Sequence, residues 1–166
     1  MKTRSLMMIA LLLPAMAFAE PDFSGTWVRD GAKSDVVPNT MYWLTRGVDA
    51  GGGRGRNSQT VIEVQQSAGR VQVAEPARPP RTLMLDGKPH DVPTDTRIQM
   101  ASVVATMQGD TLTVSTTQPF GGMPGNATLK ITETWSLSPD GKVLTVRTER
   151  ELPALRQSFS EVYNRR

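Results

Sequence analysis

The sequence predicts an all-β protein, an antiparallel meander of about eight to ten strands closing into a barrel. Three observations lead there. Apolar and polar residues alternate with period two from residue 59 onward, turn residues separate the runs at short intervals, and no segment sustains a helical period. Short connections favour pairing of strands in chain order, and a meander of that size removes its exposed edges by closing. The same alternation also fits a two-sheet β-sandwich, the alternative architecture.

The elements follow in order. A first strand is expected at 23–28. Residues 60–65 read as a strand, 67–69 turn it, and 70–74 return. Pro76, Pro79 and Pro80 interrupt the ladder, because proline has no N–H to donate. A strand at 82–85 ends at Asp86-Gly87, and a long β-rich run at 97–107 turns through Gln108-Gly109-Asp110 into 111–116. The clearest hairpin joins 127–137 to 142–149 through Ser138-Pro139-Asp140-Gly141, since Pro and Asp-Gly supply the turn backbone. A last strand fits 158–164, which makes about nine in all. Short helices are expected near 31–45 and 152–157, and the glycine-rich segments 47–58 and 120–126 read as loops. The apolar cluster Met41-Tyr42-Trp43-Leu44 is either a lid over a barrel mouth or a short helix covering an edge.

The first nineteen residues differ in character. Lys2 and Arg4 make a positive start, an apolar run covers 6–13, Pro14 ends it, and Ala17-Phe18-Ala19 has the small-x-small pattern that signal peptidase reads. The expectation is a secretory signal peptide over 1–19 and one domain over 20–166, working in the periplasm or outside the cell. The apolar run is too short to span a bilayer as a helix, no Cys follows it for lipidation, and no paired Arg precedes it.

Of 166 residues, 147 remain after that cut, a size that suits one domain. Such a chain buries roughly 70% of its unfolded surface and needs no staples. It has none, since it contains no Cys, and so it builds neither a disulfide nor a thiolate metal site. Removing Lys2 and Arg4 from the 19 basic residues leaves 17 against 16 acidic ones, a net of +1. Charges of both signs are mixed along the chain, which is no footprint for nucleic acid. No later segment is long and apolar enough for a membrane-spanning helix.

The motif Asp22-Phe23-Ser24-Gly25-Thr26-Trp27 opens the domain, and Gly25-x-Trp27 resembles the lipocalin signature. Lys33-Ser34 follows, then Asp86-Gly87-Lys88-Pro89-His90, then Trp135-Ser136-Leu137-Ser138-Pro139-Asp140-Gly141-Lys142, and Tyr163-Asn164-Arg165 near the end. In that order these segments resemble a group of small exported bacterial proteins described as lipocalin-like. Residues 38–58 have no counterpart in the resemblance, and the Thr-Asp-Tyr motif of animal lipocalins does not appear. The resemblance implies a β-barrel with an interior site. The residues themselves fit: a large aromatic, Trp27, following Gly25 in a first strand suits closure of a barrel base, and Arg165 of the last strand would stack on it.

Glu133 is the most informative side chain. Parity along 129–137 puts it on the apolar face with Ile131 and Trp135, where a carboxylate must be paired, hydrated or protonated. It is either a polar anchor inside a ligand cavity or the partner of an inward Arg. Trp135 is either core or cavity wall. His90 is the only histidine and is placed in a turn; neither a metal set nor a catalytic triad forms around one such residue. No nucleophile-elbow, zinc-protease or phosphate-loop pattern occurs, so catalysis through His90 or Glu133 is not expected, nor is a cofactor or metal. The function read from the sequence is binding of a small apolar or amphipathic ligand, with Glu133, Trp135 and Tyr163 lining or anchoring it. The alternative is an envelope interaction or structural domain with a filled core.

Overall fold

The computed structural model describes residues 20–37, 60–75, 80–93, 100–119, 128–152 and 155–166. Ten strands form one antiparallel sheet: β1 Gly25–Arg29, β2 Val61–Ser67, β3 Arg70–Ala74, β4 Arg81–Met84, β5 His90–Pro93, β6 Met100–Gln108, β7 Thr111–Pro119, β8 Thr128–Leu137, β9 Val143–Leu152 and β10 Leu155–Arg165. Their order across the sheet is β4-β3-β2-β1-β10-β9-β8-β7-β6-β5. The first strand therefore lies between the second and the last, and the sheet curls into a nearly closed barrel rather than a sandwich. At the seam, β4 packs against β6 without a ladder between β4 and β5, and the Gly87 N–H donates to Ala105 O at 3.2 Å.

Turn chemistry fixes one end of the barrel. Residues 68–69, 109–110 and 138–142 connect neighbouring strands there. In the last of these, Ser138 Oγ donates to Asp140 Oδ1 at 2.6 Å and accepts from the Val143 N–H at 2.9 Å, which pins the register of β8 on β9. At the opposite end, each connection includes residues outside the described set. The expected signal peptide, the Met41–Leu44 cluster and the glycine-rich segments at 47–58 and 120–126 all lie outside the described residues.

Burial follows strand parity. Along β9, Leu144, Val146, Thr148, Arg150 and Leu152 are buried, and the residues between them are less so. Near the turn end the inward side chains form a dense apolar base. Phe23, Trp27, Val71, Leu112 and Leu144 are fully buried there, and Phe23 meets Trp135 edge-on with centroids 6.3 Å apart.

Three sequence expectations change. His90 is the first residue of β5, paired with Val103, not part of a turn. That strand is only four residues long and ends on a proline, too short to show a period. Residues 155–157 extend β10, where a short helix was expected, because Leu155, Arg156 and Gln157 pair with Leu152, Glu151 and Arg150. Near 31–45, residues 31–33 form a turn, and residues from 38 on are outside the described set. Among the described residues no helix is long and apolar enough to cross a membrane.

Candidate functional site

The barrel interior is divided along its axis. Below lies the apolar base; above it the inward strand positions carry charge. Arg29 of β1 and Glu161 of β10 form an ion pair at 2.9 Å, with the Arg29 side chain wholly buried. Arg29 Nη2 also donates to Asp35 O at 3.0 Å, which ties the chain after β1 to the same cluster. Arg81 of β4 reaches Glu133 of β8 with both terminal nitrogens, at 3.2 and 3.3 Å. Arg150 of β9 is buried, its guanidinium carbon 4.7 Å over the ring of Phe159 on β10.

Glu133 is the centre of this layer. It accepts from the Trp135 indole N–H at 3.1 Å as well as from Arg81. Burial pushes its carboxyl up, but Arg81, the indole N–H and the more distant Arg150 outweigh that, and it settles below the ordinary glutamate range. It is therefore an ionised acceptor and not a proton store. Arg150 and Glu133 are diagonal neighbours on one face, since Arg150 faces Ile131 and Glu133 faces Thr148.

Packing is looser here than at the base. Thr116, Ile131 and Glu133 point inward by register yet keep part of their surface exposed, whereas Leu112, Val114 and Trp135 on the same two strands are buried. An inward residue that is not covered borders open space.

The sequence-derived residues fall in two places. Glu133 and Trp135 are hydrogen-bonded to each other. Tyr163 is buried in the core on β10, opposite Leu144 and Arg29, on the side of the Arg29–Glu161 pair. The Arg165 guanidinium carbon lies 4.5 Å over the Trp27 ring, whose indole N–H donates to Phe23 O at 2.9 Å. Gly25, at φ 141°, leaves the space beside it that the Arg165 side chain crosses. His90 stands apart at the seam, its Nε2 2.9 Å from Asp86 Oδ1. Among the described residues no group of three or more His, Asp or Glu side chains is arranged to hold a metal ion. An open groove of about 680 Å³ under the base, between Pro21, Asp110, Pro139 and Arg165, lies at the other end from the charged layer.

Sequence reasoning missed Arg29, Arg81, Arg150 and Glu161. The signal was there for Arg150: the parity of Leu144 and Val146 continues unbroken to it through Thr148.

No family model matches the chain, and no curated protein matches it. Solved structures do. Zebrafish ileal bile acid-binding protein complexed with cholic acid aligns at TM-score 0.58 and 16% identity, covering 87% of this chain and 98% of that one. Fatty-acid-binding protein 1 of Echinococcus granulosus aligns at 0.52 and 14% identity, covering 86% and 96%. Secretory abundant heat soluble protein 4 of Ramazzottius varieornatus aligns at 0.53 and 14%, covering 92% and 99%. At these identities the likeness is one of fold alone, and the fold is a lipocalin-like β-barrel.

Proposed function

We propose that this chain is exported, loses residues 1–19, and acts in the periplasm or outside the cell as a non-catalytic carrier of a small apolar or amphipathic molecule held inside the barrel. One observation carries the reading: the upper inward positions combine open apolar surface with fixed charge, above a base that is fully packed. Binding sites for small molecules have that make-up, apolar walls with a few placed polar groups. Glu133, held by Arg81 and Trp135, is the polar anchor; Trp135 is the floor below it; Tyr163 closes the β10 side. Two of the structural neighbours are named as binders of bile acid or fatty acid, which supports a ligand of that general chemistry.

Native mass spectrometry of the full-length gene product, taken from a periplasmic extract, tests both halves. The expected result is a chain beginning at Glu20 that carries added mass lost on denaturation. A chain that retains residues 1–19 in the cytoplasm contradicts export. A mature chain that is bare, and stays bare when offered fatty acids and bile acids, contradicts carriage.

A further inference from the structure

An open row runs across the strands on the inward face. The ladders set Ile131 of β8 opposite Thr116 of β7, Thr116 opposite Val103 of β6, and Val103 opposite His90 of β5. Ile131, Thr116 and His90 are each only partly covered. One inward step up these strands, Ala101, Gln118 and Leu129 are buried; one step down, Ala105 and Val114 are buried. The free space on this wall is therefore a trough lying crosswise, with Glu133 beside Ile131 at one end and the seam at the other. Three inter-strand spacings separate β8 from β5, about 14 Å, which an extended chain of about twelve carbons covers.

The seam end of the trough is polar. His90 takes an inward position on an edge strand that no ladder joins to β4. Its Nε2 lies 2.9 and 3.1 Å from the two carboxylate oxygens of Asp86. The Lys88 N–H and the His90 ring hold the Asp86 carboxyl below the usual aspartate range, so it is ionised and can only accept. Nε2 therefore carries the hydrogen. Nδ1 has no partner among the described residues and is the nitrogen left for a ligand. The side chain is 37% exposed, so a ligand group arriving there takes the place of solvent. A hydroxyl suits the ring in either state, since it donates to a bare nitrogen and accepts from a protonated one.

We infer that the ligand is an amphiphile polar at both ends, one end in the charged layer at Glu133, the chain along Ile131, Thr116 and Val103, and a terminal hydroxyl on His90 Nδ1. This rests on the carrier reading and makes it specific. Asp86 is the positioning residue: it fixes the ring and leaves Nδ1 to the ligand.

The probes are 12-hydroxydodecanoate and dodecanoate, equal in chain and differing by the terminal hydroxyl. They are compared by titration calorimetry at mildly alkaline pH on the protein beginning at Glu20. In a purely apolar pocket the added hydroxyl weakens binding, because it gives up water without gaining a partner. The wild-type protein is instead expected to bind the hydroxy acid about three- to tenfold more tightly. His90→Phe keeps a ring but no nitrogen and turns the preference toward dodecanoate. His90→Asn, with an amide near the place of Nδ1, keeps part of the original preference. The chain has a single His, so its ring signals are unambiguous, and in the wild type they should show NOEs to the terminal methylene of the bound hydroxy acid. Near-UV circular dichroism confirms folding, and if His90→Phe is not folded the ring NOEs decide. Equal or tighter binding of dodecanoate by the wild type, an unchanged ratio in folded His90→Phe, or missing ring NOEs at saturation overturns the hydroxyl site and leaves the carrier reading standing. Binding of neither probe overturns both.

Discussion

The guanidinium carbon of Arg165 lies over the ring of Trp27, 4.5 Å from its centroid, joining the last strand of the barrel to the first. The ladder pairs the same two residues, so backbone and side chains make the same join. The indole is fully buried and the arginine covers it from the solvent side.

The stack is expected to stabilise the fold by about 0.5–1 kcal/mol, the range of exposed cation–π contacts. A double-mutant cycle of Arg165→Ala and Trp27→Leu, read by urea midpoints, should return a coupling of that size. A coupling indistinguishable from zero contradicts closure by this pair and leaves Trp27 as core only.

Arg29 and Glu161 are a different case, because the Arg29 side chain is wholly out of solvent. Breaking a buried ion pair by removing one partner costs about 3–5 kcal/mol. Glu161→Ala should therefore lower stability by that amount, while Arg29→Met with Glu161→Leu recovers most of it. If the double substitution is as damaging as the single one, the pair does more than neutralise itself.

Glu133 gives a pH dependence with a definite sign. Its carboxyl is held below the ordinary value of 4.5 in the folded state. A group lowered in this way adds stability that is full above the unfolded value and is lost as pH falls through the folded one. Stability should thus decline as pH drops below about 4.5, and Glu133→Gln should flatten part of that decline. The remainder belongs to Asp22, Asp30, Asp86 and Asp140, which are lowered as well. Parallel acid limbs in wild type and variant, from chemical denaturation at a series of pH values, would speak against the Arg81–Glu133 pair.

Two turn glycines make a matched comparison. Gly87 and Gly141 have nearly the same φ, 68° and 67°. Alanine at either costs about 1–2 kcal/mol for the left-handed backbone. At Gly87 the new Cβ would also stand 3.3 Å from Thr106 Cγ2, across the seam, whereas at Gly141 it meets nothing. Gly87→Ala should therefore be the more destabilising of the two in thermal melts, and equal losses would mean that the seam yields freely.

Much of the fold was legible because its signals are local. The Ser138–Gly141 turn, the alternation on both sides of it and the contrast between Trp135 and its outward neighbours can each be read within a dozen residues. The inward placement of Glu133 came from the same parity. The charged layer was less legible because polar residues on an inward face look like the end of a pattern. Arg150 continues the face of Leu144 and Val146, but an apolar rule stops counting at Thr148. Arg81 and Glu133 are far apart in sequence, and only curling of the sheet brings β4 opposite β8. The strand at His90 was hidden by its length.

The central claim is that the ligand lies inside the barrel, against the upper inward face. Isotope-filtered NOE spectroscopy of the protein beginning at Glu20, methyl-labelled and loaded with dodecanoate, tests it most directly. The account predicts contacts from the ligand chain to the methyls of Ile131, Val103 and Thr116, which share inward positions on β6, β7 and β8. Saturable binding with contacts confined to outward methyls, such as Val104 and Thr132, would contradict it.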